Sequence, residues 1–206
     1  MAEINTIIFD LGGVIMNIDF GLTEKAFTAL GFADFRQYMT QFHITPMFEE
    51  FELGTIGTDA FINGIRRVAN RPLTDAQITE AWNALLLDFP EDRIALLERI
   101  RKDYRTFLLS NTNALHHDAF QARLTDQTGR QLEDFFEKTY YSHTAHLRKP
   151  HADIFQLLLD ENGLDAASTL FIDDTASNLV GAAATGMQVF HLKPPMQITD
   201  MPLFMK

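Results

Sequence analysis

The sequence TIIFDLGGV occupies residues 6–14 and sets the pattern for the rest of this 206-residue chain. Its first part, Thr6–Phe9, is a continuous apolar run, which is typical of a parallel strand covered on both faces. Asp10 follows this run directly, and Gly12 and Gly13 then form a turn. Open α/β sheets bind ligands at the carboxyl ends of their strands. Asp10 is therefore a candidate site residue; alternatively, it only shapes the turn.

Four other short runs predict strands of the same sheet, and helices are predicted between them. The strand candidates are Thr106–Leu109, Lys138–Ser142, Thr169–Ile172 and Gln188–Leu192. Apolar spacing and helix-end residues predict helices at Pro90–Lys102, from Pro150 to Gly163, and at Asn178–Thr185. Because strands alternate with helices from residue 90 onward, the chain is predicted to be α/β with a doubly wound parallel sheet.

Residues 17 to about 88 break this alternation and show helical periodicity alone. The predicted helices are Leu22–Leu30, Phe35–Phe42, Asp59–Val68 and Asp75–Leu87. Thr74 and Gln77 have the spacing of a capping box at the start of the last one. Four helices after the first strand predict an inserted bundle. The predicted domains are a core of residues 1–16 and 89–206 and a helical cap of residues 17–88.

Composition and charge restrict the partners and the location. The formal net charge of −11 argues against nucleic acid, because a phosphate backbone requires a basic surface. The chain has no cysteine, which excludes thiolate metal sites and fits a reducing cytoplasm. The N-terminus does not read as a secretory signal, and no apolar run reaches the roughly 18–20 residues that span a bilayer. We therefore expect a cytoplasmic protein without membrane contact; the sequence leaves open whether it is a monomer or a weak dimer.

Polar side chains follow other predicted strands as well. Ser110 and Asn111 offer small polar groups for a phosphoryl group, and Lys149 places a cation at a helix start, where an anion is favoured. Asp173 and Asp174 repel each other unless a cation joins them, and hard oxygen ligands suit Mg²⁺. Each feature alone also fits an ordinary loop, a solvated lysine or an acidic helix start. Together they converge on one crevice and supply the parts that phosphoryl transfer needs.

These segments resemble the motifs of the haloacid dehalogenase superfamily of hydrolases. The matching stretches occur in the expected order over nearly the whole chain: Phe9–Val14, Leu109–Asn113, Arg148–Pro150, and Phe171–Asp174 followed by Asn178. The resemblance implies a Rossmann-like core with a helical cap inserted after the first motif. It also implies an Mg²⁺-dependent phosphatase in which Asp10 attacks phosphorus and becomes an aspartyl-phosphate.

The resemblance further implies a role for each candidate residue. Ser110, Asn111 and Lys149 would hold the phosphoryl oxygens. The Asp10 carboxylate, the backbone carbonyl of Gly12, and Asp173 or Asp174 would bind the metal. The sequence also resembles the bacterial α-glucose-1-phosphate phosphatases, and this resemblance includes Phe42-His43 and the Glu52-x-Gly54 stretch. It implies a small phosphorylated metabolite as substrate, with a sugar phosphate as the favoured class.

The chain departs from the superfamily pattern at Gly12. Most phosphatases of the superfamily carry a second aspartate there, which protonates the leaving oxygen and later activates water. General acid–base help is worth roughly 10²–10⁴-fold, so the sequence predicts either a slow enzyme or another proton source. His43 and Asp19 are the candidates on the cap side.

Two other functions stay open at this point. One is a metal-independent haloacid dehalogenase, since those enzymes also lack the second aspartate. The other is a catalytically weak binding or regulatory protein on the same fold. The retained pair of Asp173 and Asp174 favours a metal and hence a phosphate ester.

Overall fold

The computed structural model describes residues 2–32, 35, 46–69 and 71–205. Five parallel strands form one sheet in the order β3-β2-β1-β4-β5, so that β1 is central. The strands are β1 Thr6–Phe9, β2 Arg105–Ser110, β3 Lys138–Tyr141, β4 Thr169–Asp173 and β5 Gln188–His191. All five predicted strands are therefore confirmed, each to within one residue at either end.

The register of the three central strands aligns their carboxyl ends. Phe9 pairs with Leu108 of β2 on one side and with Ile172 of β4 on the other. The Asp10 N–H donates to the Ile172 carbonyl at 2.9 Å, which extends the β1–β4 ladder by one step. As a result, the polar residues that follow these strands emerge at the same edge of the sheet, as the sequence predicts.

Helices cover both faces of the sheet. Because side chains alternate along a strand, Ile7 and Phe9 of β1 point to one face and Ile8 to the other. The first face packs against α5 Glu91–Ile100 and α6 Ala114–Thr128, and the second packs against α8 Ala152–Asn162 and α9 Ala176–Ala184. A one-turn helix, α7 Ser142–Ala145, follows β3. The α/β class predicted from the sequence is confirmed.

Among the described residues, four helices lie between β1 and α5. They are α1 Phe20–Ala29, α2 Pro46–Glu52, α3 Thr58–Ala69 and α4 Asp75–Asn83. They share an aromatic cluster in which Phe27 stacks on Phe35 at 3.9 Å and Phe51 stacks on Phe61 at 4.2 Å. Burial of such large rings contributes much of the stability of a small bundle. The predicted capping box at Thr74 and Gln77 is present.

The two connections between this helical segment and the sheet run side by side. The Asn17 backbone N–H donates to the Asp88 carbonyl at 2.9 Å, and the Asn17 carbonyl accepts from the Leu87 N–H at 3.0 Å. Asp19 donates to the Leu85 carbonyl at 2.9 Å. The predicted helix Asp75–Leu87 therefore ends early, at Asn83, because the residues after it pair with this connection.

Two further helices are not predicted from the sequence, and another begins later than predicted. Helix α6 is not predicted from the sequence, because its buried residues are only Phe120, Gln121 and Leu124 and its apolar periodicity is weak. The short helix α2 is not predicted either. The helix expected to start at Pro150 begins at Ala152, after the N-cap residue His151. The predicted helix Phe35–Phe42 lies outside the described residues except for Phe35. Among the described helices, none is long and apolar enough to cross a bilayer.

Candidate active site

A buried lysine joins two carboxylates at the carboxyl edge of the sheet. Lys149 Nζ lies 2.5 Å from Asp10 Oδ1 and 2.8 Å from Asp173 Oδ2. Lys149 is only 1% exposed, and a lysine is fully buried almost exclusively when its charge is paired. The alternative that Lys149 is a solvated surface lysine is therefore wrong. Lys149 instead connects the end of β1 with the end of β4.

Asn111 holds the backbone on which Lys149 stands. Its side-chain amide donates to the Lys149 carbonyl at 2.9 Å, and its Oδ1 accepts from the Lys149 N–H at 3.0 Å. Both ends of the amide are thus engaged by one peptide segment. Asn111 therefore fixes the position of the Lys149 backbone.

The two neighbouring aspartates have different surroundings. Asp173 is fully buried and accepts from Lys149, from the Asn178 side chain at 2.9 Å and from the Thr175 N–H at 2.7 Å. Asp174 is half-buried, lines the cavity described below and accepts from the Thr175 hydroxyl at 3.1 Å. Asp174 therefore presents its carboxylate to the open side of the site, whereas Asp173 holds Lys149 from behind.

The carboxylates of Asp10, Asp173 and Asp174 form a compact acidic group. Among the described residues, one oxygen from each lies within 4.8 Å of the others. Gly13 makes room for this group: it has φ +74°, and a Cβ added there would lie 2.3 Å from Asp174 Oδ2. A side chain at residue 13 would therefore collide with the Asp174 carboxylate. The donor set suits Mg²⁺, which is bound by one or two carboxylates and further oxygens.

The charge balance also favours a cation. Burial raises the pKa of Asp10 to about 7, because the opposing effect of Lys149 is offset in part by repulsion from Asp173 and Asp174. Burial, together with Asp173, raises the pKa of Asp174 as well. Burial alone would lower the pKa of Lys149, but Asp10 and Asp173 raise it above its ordinary value. Three carboxylates around one ammonium leave excess negative charge that a divalent cation would neutralise.

A cavity of about 530 Å³ opens above this acidic group. Asp10, Gly12, Ser110, Asn111 and Asp174 line it on the sheet side, and Lys149 lies between them. The helical segment lines it from the other side with Phe48, Glu49, Glu52 and Trp82, none of which is predicted as a site residue from the sequence. The cavity therefore has a charged floor and a mixed polar and aromatic roof.

An arginine ties the roof to the floor. Arg148 Nε donates to Glu52 Oε1 at 2.6 Å, and Arg148 Nη1 lies 3.6 Å from Glu49 Oε1. Burial raises the pKa of Glu52 despite this pairing with Arg148. Because Arg148 precedes Lys149 in the chain, the contact places α2 beside the buried lysine.

A second polar contact joins α4 to α6. Trp82 Nε1 donates to Asn113 Oδ1 at 3.2 Å, and the Asn113 amide nitrogen lies 3.1 Å from His116 Nδ1. His116 Nε2 lies 3.1 Å from the Trp82 carbonyl, so the ring donates there and accepts at Nδ1. Burial lowers the pKa of His116 to about 4. His116 is therefore neutral at pH 7, with both ring nitrogens in use.

The predicted site residues come together in this one place. Asp10, Gly12, Ser110, Asn111, Lys149 and Asp174 line the cavity, and Asp173 lies behind Lys149. The proton-source candidate Asp19 is exposed and caps α1 by accepting from the Gly21 N–H at 2.8 Å; it does not line the cavity. The other candidate, His43, lies outside the described residues, as does Phe42. Glu49 belongs to a helix that is not predicted from the sequence, and the similarity of the Glu52-x-Gly54 stretch implied no role for Glu52.

Comparison with known proteins adds a family and named relatives. The model of the haloacid dehalogenase-like hydrolases matches residues 4–186. A D-ribitol-5-phosphate phosphatase of Bacteroides thetaiotaomicron is 30% identical over 91% of each chain. A sesquiterpene phosphatase of Aspergillus oryzae is 26% identical over 90% of this chain and 88% of its own.

A solved structure extends the similarity to three dimensions. It is a family enzyme of Bacteroides thetaiotaomicron in complex with magnesium and inorganic phosphate. Its sequence is 32% identical, the match covers 95% of this chain and 98% of that one, and the TM-score is 0.88.

Proposed function

We propose, from the premise that this chain belongs to the haloacid dehalogenase-like hydrolases, that Asp10 is the nucleophile of an Mg²⁺-dependent phosphatase for a small phosphorylated metabolite. The chain is a hydrolase of phosphoric esters, as its named relatives are. The observation that carries the proposal is the contact of Lys149 with both Asp10 and Asp173 on the floor of the cavity.

The metal would be held by groups that face the cavity. We assign it to the carboxylates of Asp10 and Asp174 and to the backbone carbonyl of Gly12. Asp173 is saturated by Lys149, Asn178 and Thr175, so we assign it the role of fixing Lys149. When bound, Mg²⁺ supplies charge neutralisation for the phosphoryl oxygens and draws them toward the nucleophile.

The protein's own groups account for the other requirements of the reaction. The free oxygen of Asp10 attacks phosphorus, the bond to the leaving oxygen breaks, and an aspartyl-phosphate forms. Lys149, the Ser110 hydroxyl and the Asn111 N–H hold the phosphoryl oxygens and stabilise the charge that they carry in the transition state. Water then attacks phosphorus, which releases phosphate and restores Asp10. We propose that residues 17–88 act as the cap that shields these steps from bulk water.

The roof of the cavity supports a hydroxylated substrate. Glu49 and Glu52 offer carboxylate acceptors, while Phe48 and Trp82 offer flat apolar surfaces. A cavity of about 530 Å³ lies within the usual range for small-molecule sites. The similarity to a phosphatase named for D-ribitol 5-phosphate favours the same class. We therefore propose a sugar phosphate or polyol phosphate.

A turnover assay tests the proposal. The purified protein is incubated with p-nitrophenyl phosphate and Mg²⁺, and phosphate release is measured for the parent chain and for Asp10→Asn. We expect turnover by the parent, loss upon chelation, and at least a thousandfold lower rate for Asp10→Asn. Activity that survives both changes would exclude Asp10 as the nucleophile.

Two further measurements separate this phosphatase from the alternative functions. A catalytically weak binding protein would bind phosphate without turnover, and a dehalogenase would release halide from a 2-haloacid without metal. A panel of polyol, sugar and isoprenoid phosphates then identifies the substrate class. We expect the highest kcat/KM with a polyol or sugar phosphate.

A further inference from the structure

The leaving oxygen of the substrate needs a proton that Gly12 cannot supply. An alkoxide is a poor leaving group, so its departure from phosphorus is slow unless an acid protonates the oxygen. The donor has to line the cavity, because the leaving group points away from Asp10 and toward the roof. This requirement rests on the proposed function, in which Asp10 attacks phosphorus.

The described part of the cavity wall offers few ionisable groups for this task. Asp10, Asp174 and Lys149 are already assigned to the nucleophile, the metal and the phosphoryl group. Arg148 does not give up its proton at any ordinary pH. His116 is neutral, and both of its ring nitrogens are engaged with Asn113 and the Trp82 carbonyl. The remaining acids are Glu49 and Glu52.

The two glutamates differ in their surroundings. The side chain of Glu49 is 44% exposed, and its nearest oxygen lies 3.6 Å from Arg148. The side chain of Glu52 is 21% exposed, and Arg148 Nε donates to its Oε1 at 2.6 Å; no other described residue donates to its carboxylate. Arg148, Lys149 and Glu49 are the charged groups that act on Glu52, and burial outweighs the two cations, so its pKa is raised. A carboxyl group held at one oxygen retains the other for proton exchange.

We infer that Glu52 is the general acid that protonates the leaving oxygen, in place of the carboxylate missing at residue 12. In the first half-reaction, Asp10 bonds to phosphorus, the bond from phosphorus to the ester oxygen breaks, and that oxygen takes the proton of the Glu52 carboxyl group. In the second, water attacks phosphorus, the bond to Asp10 breaks, and the Glu52 carboxylate takes a proton from that water. Glu52 thus ends each cycle protonated, and the sum is one ester and one water converted to alcohol and phosphate.

The test compares leaving groups that need a proton with one that does not. Glu52→Gln keeps an oxygen for Arg148 but removes the acid, and Glu50→Gln is the matched control, because Glu50 is an exposed glutamate of the same helix and does not line the cavity. We expect Glu52→Gln to lower kcat for an alkyl phosphate such as ribitol 5-phosphate about 10²–10³-fold, with less than about a threefold change for p-nitrophenyl phosphate. Glu52→Asp, which keeps a shorter acid, should recover part of the alkyl activity.

Each result for the Glu52 variants either supports or contradicts the role of Glu52 as the acid. Glu50→Gln should leave both rates within about threefold of the parent. A Glu52→Gln variant that loses both activities equally, as a misfolded protein would, contradicts the inference, and so does one that loses neither. If the parent chain itself does not hydrolyse p-nitrophenyl phosphate with Mg²⁺, the proposed function fails instead.

Discussion

Lys149 Nζ lies 2.5 Å from Asp10 Oδ1, although 139 residues separate the two in the chain. The contact joins the end of the first strand to the loop before α8 and buries both charges. It therefore links the stability of the core to the chemistry of the site.

Replacing Lys149 should destabilise the protein more than replacing an exposed lysine. Lys149→Met keeps the length of the side chain but leaves Asp10 and Asp173 without their cation. Removing one partner of a buried pair costs roughly 3–5 kcal/mol, and we expect a loss of this size in the free energy of unfolding, measured with urea at pH 8 without Mg²⁺.

The control for this change is Lys138→Met. Lys138 pairs with Glu161 at 2.6 Å on the surface, with 47% of its side chain exposed. An exposed ion pair contributes less than about 1 kcal/mol, so this variant should stay near the parent. Equal effects of the two substitutions would contradict the buried pairing of Lys149.

A methyl group at Gly13 should weaken metal binding. Gly13 and Gly129 both have positive φ, +74° and +72°, so alanine at either position incurs the same backbone strain of about 1–2 kcal/mol. An added Cβ meets Asp174 Oδ2 at 2.3 Å at Gly13 but nothing within 4 Å at Gly129. We expect calorimetric titration to give at least tenfold weaker Mg²⁺ binding for Gly13→Ala and an unchanged affinity for Gly129→Ala. Parent-like affinity in both variants would remove Asp174 from the metal site.

Protonation of His116 should destabilise the protein in acid. Burial lowers the pKa of His116 to about 4 in the folded state, against about 6.5 in the unfolded chain. Between pH of about 4 and about 6.5, the unfolded chain therefore binds a proton at His116, whereas the folded protein does not. The contribution to the free energy of unfolding is therefore constant above pH 6.5 and falls as the pH decreases toward 4, by up to about 3 kcal/mol.

Urea unfolding between pH 7.5 and 4 measures this dependence. His116→Gln removes the titrating ring, so the stability difference between the parent and this variant should shrink as the pH falls. His151→Gln, at an exposed position, is the control and should follow the parent. A difference between the parent and His116→Gln that does not change with pH would contradict a neutral His116.

An acid at residue 12 should rescue the loss of Glu52. A Cβ at Gly12 meets only the Ile18 side chain, at 3.0 Å, and the end of that chain can shift by a few tenths of an ångström. In the Glu52→Gln background, Gly12→Asp supplies a carboxyl group beside Asp10. We expect it to restore alkyl phosphate turnover at least tenfold relative to Glu52→Gln, measured by phosphate release. Gly12→Ala in the same background should not restore it, and rescue by alanine would show that the acid is not the cause.

The strands and the residues directly after them could be predicted from the sequence. A continuous apolar run such as Thr169–Ile172 is a local signal, and parallel strands bring their carboxyl ends to one edge whatever lies between them. Asp10, Ser110 and Asp174 are predicted in this way, whereas Lys149 is predicted from its position before a helix start. The helix α6 is not predicted, because it buries little apolar surface and so lacks a clear period.

The sequence by itself determined an α/β core and predicted that Asp10, Lys149, Asp173 and Asp174 meet at one edge of the sheet. Only the tertiary structure decided that Asp173 supports Lys149 while Asp174 faces the cavity, and that Arg148 meets Glu52 across 96 residues of sequence. Local hydrophobic patterns report which face of a strand or helix is buried. They carry no information about which polar side chains from distant segments meet, because that depends on how the helical segment packs over the sheet.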